Sequence, residues 1–211
     1  IAVVRDHADE WARTALAERV RLREHLRDDT VAQLDRWIAA ALEAKGIRPG
    51  TPAEGEEWVG GPVCLLRNIR LLQRTLEDLR DHGRVRLPAE PRTREDGQVV
   101  AQVFPTDTFD KVTFSGFTGE IWMDPKVTLA SFPDHLASAY RGTRPEGRVA
   151  LVLGAGNVSS IGPMDALYKL FNEHQVVVLK MNPVNEYLGP IFEDCFRSFI
   201  ERGFLRVVYG G

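Results

Sequence analysis

The last third of the chain alternates between short apolar segments and helical patterns, and this order constrains the fold most. Strands are predicted at 149–153, 176–179 and 205–209, with helices at 163–171 and 187–202. Strands that alternate with helices favour right-handed crossovers and a parallel sheet. We therefore expect an α/β fold in this region.

Amphipathic helices are predicted for residues 1–83. A charged helical pattern covers residues 6–27, and a second helix is predicted to begin at Thr30 as its N-cap and to end at Gly46. A third helix follows the breaker Gly60-Gly61-Pro62 and runs to His82. The apolar stripes of these helices are typical of core packing, so we expect a helical lead-in to the sheet.

Residues 84–147 have a different composition. The Pro-rich connector "LPAEPRTREDG" is followed by three β-branched and aromatic runs, "QVVAQVFP", "KVTFSGFTGEIWM" and "KVTLASF". Turn residues separate these runs, which predicts antiparallel hairpins. We expect a small antiparallel β insertion, which could join subunits or could equally cover a local surface.

Charge and hydropathy exclude several classes of partner. The 211 residues carry a net charge of −3, no apolar run approaches the roughly 20 residues that span a bilayer, and no signal-peptide pattern is present. We expect a cytoplasmic protein that binds neither nucleic acid nor membrane, and the two cysteines show no metal-ligand spacing. The chain begins at Ile1 and ends just after a predicted strand, so we expect a fragment of a longer protein.

The loop after the first of these strands resembles a dinucleotide fingerprint only in part. Gly154 and Gly156 occupy the first two glycine positions, but Ser159 stands at the third, and Lys180 ends the second strand where an acidic residue is usual. Glycines at a strand end let a ligand approach the backbone closely. Asn157 offers an amide donor that could stabilise an oxyanion, or it could simply cap the loop or adopt a left-handed conformation.

The loop after the first of these strands, the helix that follows it and the second strand together resemble the aldehyde dehydrogenase superfamily. Asn157, a helix and "QVVVLK" follow one another as in that family, with 23 positions between Asn157 and Lys180. The final "GFLRVVYGG" is similar to the family's third strand and following glycine. The resemblance covers residues 148–211, extends to the helices of 6–83, and does not include 84–147.

This resemblance implies a Rossmann-like parallel sheet and an NAD(P)-dependent oxidoreductase that oxidises an aldehyde through a thiohemiacetal. Asn157 would hold the oxyanion and Lys180 the adenosine ribose, and no metal is implied. The cofactor, NAD or NADP, would be contacted by Leu153, Gly154, Ala155, Gly156, Lys180, Asn182 and Gly210. The family forms dimers or tetramers, so a homo-oligomer is expected.

Two departures limit what the resemblance predicts. The family follows its lysine with a proline and, two positions later, an acidic residue that helps to select NAD, whereas here Met181, Asn182 and Pro183 follow and Glu186 comes later. The choice between NAD and NADP is therefore open. An Ala155-Gly156 pair also replaces the family's Pro-Trp before the asparagine, which reshapes the pocket.

The family's catalytic cysteine and glutamate belong to sequence beyond the third strand. Cys195 lies among Phe192, Phe196 and Phe199 on a predicted helix, so we expect a buried, inert thiol rather than a nucleophile. The 211-residue chain alone should then lack turnover on an aldehyde or acyl substrate. An acyl-CoA reductase relative, a non-catalytic dehydrogenase-like binding or assembly protein, and an unrelated binder of an adenosine cofactor remain the alternatives.

Overall fold

The chain forms two compact units in its computed structural model, which describes residues 1–142 and 146–210. The first unit combines residues 1–77 with those from 142 onward, and the second comprises residues 78–141. The parallel sheet and the predicted site residues all belong to the first unit.

Six α-helices occupy the amino-terminal part of the chain. They are α1 Ala2–Asp6, α2 Ala8–Arg13, α3 Leu16–Ala32, α4 Leu34–Lys45, α5 Pro52–Trp58 and α6 Cys64–His82. Gly46 ends α4 in the left-handed region at φ 64°, as predicted. The prediction that Thr30 caps a helix is wrong, because Thr30 lies buried within α3 and α4 begins after Gln33.

Within the first unit, the amino-terminal helices pack against the carboxyl-terminal third of the chain through the buried indole of Trp11. Its ring meets Phe171 and Phe199 edge to face at centroid distances of 5.6 and 5.9 Å, and its Nε1–H donates to the carbonyl oxygen of Leu170 at 2.9 Å. The guanidinium of Arg19 lies 4.1 Å from the centroid of the same ring. The expected core role of this apolar stripe is confirmed.

The second unit contains a small antiparallel sheet and one short α-helix. Strand β2 (Val99–Phe104) lies between β1 (Arg92–Thr93) and β3 (Gly119–Trp122), and α7 (Thr108–Thr113) connects β2 with β3. The antiparallel prediction is confirmed for "QVVAQVFP" and "GEIW".

Two stretches of this unit that were predicted as strands adopt other structures. Residues 111–113, the first three of the predicted run "KVTFSGFTGEIWM", form the end of α7, whose first turn is capped by the Asp107 side chain, which accepts from the Asp110 amide at 3.0 Å. Residues 126–132 form turns in which the Thr128 and Ser131 side chains and amides bond to each other. Local polar contacts thus override β-propensity in both stretches.

The parallel sheet has three strands in the order β4-β5-β6. They are β4 Val149–Leu153, β5 Val176–Lys180 and β6 Leu205–Val208. Leu153 pairs in register with Lys180, and Lys180 pairs with Val208. The predicted parallel sheet is confirmed, and the carboxyl ends of all three strands lie at one edge.

Helices connect these strands, as predicted. The first crossover is α8 (Ile161–Leu167), which continues as a π-helical turn to Asn172. The second begins with a 3₁₀ segment at Pro183–Leu188 and continues as α9 (Gly189–Cys195) and α10 (Arg197–Glu201). The single helix predicted for 187–202 is therefore two helices, separated at the buried residue Phe196.

Candidate functional site

The loop after β4 lies directly against the end of β5. The Gly154 amide donates to the carbonyl oxygen of Lys180 at 2.8 Å. A Cβ at Gly154 would be 3.0 Å from that oxygen and 3.3 Å from the Asn182 amide nitrogen. Only glycine fits this approach without moving the backbone, so Gly154 lets the loop leave β4 close to the neighbouring strand end.

Two asparagines in the turn after β5 hold the loop. The buried Asn185 donates from Nδ2 to the carbonyl oxygens of Ala155 and Gly156, at 2.9 and 3.2 Å. Asn182 caps the 3₁₀ segment by accepting from the Val184 amide at 3.0 Å, and a Cβ at Gly156 would be 3.0 Å from its Oδ1. The backbone of residues 154–156 is therefore fixed by side chains from the turn.

The close approach of α8 to Gly154 and to β5 depends on Gly162. A Cβ at Gly162 would be 3.3 Å from the Cα of Gly154 and 3.5 Å from Leu179 Cδ1. This is the part that the third glycine plays in a dinucleotide fingerprint, where it allows the helix to approach the strand. The motif spacing points to Ser159 for this role, whereas the structure gives it to Gly162, whose position immediately before Pro163 is visible in the sequence.

Asn157 stands at the end of the fixed loop with an exposed side chain. It has a negative φ, since Ala137 and His174 alone among the described non-glycine residues have positive values. No hydrogen bond joins its amide to another described residue, and the residue before α8 is Ser160. Neither local role considered for Asn157 applies, so its amide can face a ligand.

Lys180 lies on one face of the sheet between two exposed apolar residues. Its in-register neighbours there are Leu153, 68% exposed, and Val208, 36% exposed. Residues that pair in register in a parallel sheet project to the same face. Lys180 makes no ion pair with any carboxylate in the part of the chain that the structure describes.

Acidic residues near the end of β6 already bind donors of the protein. Glu186 Oε1 accepts from the Gly210 amide at 2.7 Å, and Glu193 Oε1 accepts from the Tyr209 hydroxyl at 2.9 Å. Burial and the hydrogen bond to Glu193 raise the pKa of Tyr209. The Gly210 amide, predicted to face the cofactor, is thus engaged with Glu186, and the φ of 103° at Gly210 requires glycine.

The expected burial of Cys195 is confirmed. Its side chain is fully buried, and burial raises the pKa of the thiol to about 12. Nucleophilic chemistry requires a thiolate, and burial disfavours that form of Cys195.

Other kinds of site find no support among the described residues. Within 1–142 and 146–210, no group of three or more His, Cys, Asp and Glu side chains is placed to hold a metal ion. No described helix combines the length and the apolar character needed to cross a bilayer.

Neither protein-family models nor curated proteins identify a relative of this chain. A scan against models of protein families gives no match to this chain, and a search of curated proteins gives no significant match. The residues at the carboxyl edge of the parallel sheet and their resemblance to the aldehyde dehydrogenase superfamily are what point to a function.

Proposed function

We propose that this chain is the amino-terminal, cofactor-binding portion of an NAD(P)-dependent oxidoreductase similar to aldehyde dehydrogenases. One observation carries the proposal: a glycine loop locked at the end of β4 adjoins Lys180 at the end of the next strand. Ligands of open parallel sheets bind at this edge, outside the carboxyl ends of the strands.

The residues at this edge fit an adenosine dinucleotide. Lys180 provides an ammonium group without a carboxylate partner, which can donate to ribose oxygens. The exposed side chains of Leu153 and Val208 offer apolar contact beside it. Asn182 and Ala155 line the same turn and loop, so the residues predicted to bind the cofactor lie together, with Gly210 acting through its bond to Glu186.

In the full-length enzyme, residues 153–156 and Lys180 would hold the NAD(P), which would supply hydride-transfer chemistry when bound. Asn157 would donate its side-chain N–H to the carbonyl oxygen as negative charge develops there, since its amide has no partner among the described residues. The hydrogen bonds from Asn185 to the loop hold the backbone next to Asn157 in place. Replacing Asn157 by alanine in that enzyme should lower kcat by about 10²–10³-fold, the cost of one oxyanion donor.

Cofactor binding can be tested on this chain by isothermal titration with NAD⁺ and NADP⁺. Leu153→Glu places a carboxylate in register with Lys180, where it can neutralise the ammonium group. We expect affinity to fall at least about fivefold, since one charge pair at 4 Å in water is worth about 1 kcal/mol. The matched control is Leu129→Glu at an exposed leucine of the second unit, which should bind as the parent does. Absence of binding by the parent chain would refute the proposal.

A non-catalytic assembly role is the second candidate, and exposed apolar side chains in the second unit favour it. Phe109, Phe117, Ile121 and Trp122 are all more than half exposed. Large exposed apolar patches mark interaction surfaces. A chain that binds no dinucleotide but forms a homo-oligomer, lost on Phe117→Ser, would support this role instead.

A further inference from the structure

A groove of about 470 Å³ lies between α4 and α5 in the first unit. Its apolar lining includes the buried side chains of Ile38 and Leu42 and the half-buried side chains of Ile47 and Trp58. Mostly apolar sites of about 300–1,000 Å³ with a few polar groups are typical of binding sites. We call it the α4–α5 groove, and its lining residues are Asp35, Ile38, Ala39, Leu42, Glu43, Ile47, Pro49, Glu54 and Trp58.

The wall that α4 contributes carries two carboxylates at a fixed spacing. Asp35, Ala39 and Glu43 follow one another at four-residue intervals, so they lie on one face of the helix. The carboxylates are eight positions apart, from 35 to 43, which corresponds to about 12 Å along the helix axis. Apolar residues of the same face therefore lie between two negative charges.

The wall that α5 contributes is held in place by Glu54. Its Oε1 accepts from the indole Nε1 of Trp58 at 3.3 Å, and its Oε2 accepts from the Gly50 amide at 2.6 Å. The indole is thereby fixed at the groove, which it lines. Tryptophan is among the residues that contribute most to binding energy at protein interfaces, so Trp58 is a suitable anchor for a partner.

The charge of the α4–α5 groove is negative. Among the described residues, none of those that line the groove is basic, and neither Asp35 nor Glu43 forms an ion pair. The two basic residues of α4 are held by carboxylates outside the groove: Arg36 by Asp194 at 2.6 Å and Lys45 by Glu57 at 2.7 Å. An apolar groove with an acidic rim is complementary to an apolar surface that carries cations.

We propose that the α4–α5 groove binds a basic amphipathic helix of a partner protein. Helices dock in such grooves through apolar side chains at helical spacing, which here would pack on Ala39, Ile47 and Trp58. Two Lys or Arg residues eight positions apart would pair with Asp35 and Glu43, because they span the same distance of about 12 Å along a helix. The cofactor edge contributes no residue to this groove, so the docking does not depend on the proposed function.

A fluorescence titration with a defined probe tests this docking. The probe is a peptide of about 18 residues, long enough to form a helix, with alanines, leucines at helical spacing and two lysines eight positions apart. In a Trp122→Phe background Trp58 reports on the groove, since the rings of Trp11 and Trp37 are fully buried. We expect the peptide to shift the emission of Trp58 to shorter wavelength, because the indole loses water on binding.

A charge reversal separates the proposed contacts from general electrostatic attraction. Glu43→Lys should weaken binding of the lysine peptide at least about fivefold, since it turns an attraction into a repulsion. A peptide with one lysine replaced by glutamate should bind this variant more tightly than the lysine peptide does. Glu56→Lys, at an exposed position of α5 outside the groove, is the matched control and should bind the lysine peptide as the parent does.

Three results would overturn the proposal. They are an unchanged Trp58 emission with the peptide, an equal loss of affinity in Glu43→Lys and Glu56→Lys, and equal binding of a peptide of the same composition in scrambled order. Sedimentation at increasing protein concentration tests a different occupant. Self-association that shifts the Trp58 emission without any peptide would assign the groove to a second copy of the chain, and this too would overturn the proposal.

Discussion

Gly154→Ala should destabilise the first unit, because the added methyl group meets backbone on two sides. Its Cβ would be 3.0 Å from the Lys180 carbonyl oxygen and 3.3 Å from the Asn182 amide nitrogen. That oxygen also accepts the Gly154 amide at 2.8 Å, so it cannot retreat without weakening the link between β4 and β5. Overpacking of this kind typically costs about 1–3 kcal/mol.

Urea unfolding followed by tryptophan fluorescence measures this cost. The four tryptophans include one in the second unit, so a Trp122→Phe background leaves three reporters in the first. The matched control is Gly55→Ala within α5, where a Cβ meets nothing within 4 Å and helix propensity should raise stability by about 0.5–1 kcal/mol. If Gly154→Ala were as stable as the parent or gained stability as Gly55→Ala does, the tight packing of this loop would be refuted.

Three further predictions concern the first unit. Gly203→Ala and Gly50→Ala should each lower the free energy of unfolding by about 1–2 kcal/mol, because both glycines have a positive φ. Gly203→Ala should cost about 1 kcal/mol more, since its methyl group displaces the His7 ring, which is hydrogen-bonded to the Val3 carbonyl oxygen. Equal losses for the two variants in urea unfolding would contradict this. Burial lowers the pKa of His174 to about 4, so the unfolded chain takes up that proton first as pH falls below 6.5. Stability should drop by about 3 kcal/mol between pH 6.5 and 4 in pH-dependent unfolding, and His174→Asn should remove that part; an unchanged slope would refute it. The buried Cys195 should be alkylated at pH 8 only as fast as the unit unfolds, and faster labelling by mass spectrometry would contradict its burial.

The sequence predicted the parallel sheet because three apolar strands alternate with helices, and that pattern is local. It could not predict that Asn185 would hold the loop, since that contact joins residues about 30 positions apart through the path of the turn. The role of Gly162 could not be predicted from motif spacing, because its close contact with Gly154 arises from the packing of the folded chain. The prediction of an N-cap at Thr30 was wrong because the burial of one face of α3 favours a helix that continues through Thr30, and this outweighs the capping preference of a threonine.

Hydrogen exchange with and without a dinucleotide tests the central claim most directly. The amides of residues 154–157 and 180–182 should become protected when NAD⁺ or NADP⁺ is added at saturating concentration, because the cofactor would lie over the carboxyl ends of β4 and β5. The amides of β2 in the second unit should exchange as before. Unchanged exchange at both segments, or protection confined to the second unit, would contradict the assignment of this edge as the cofactor site.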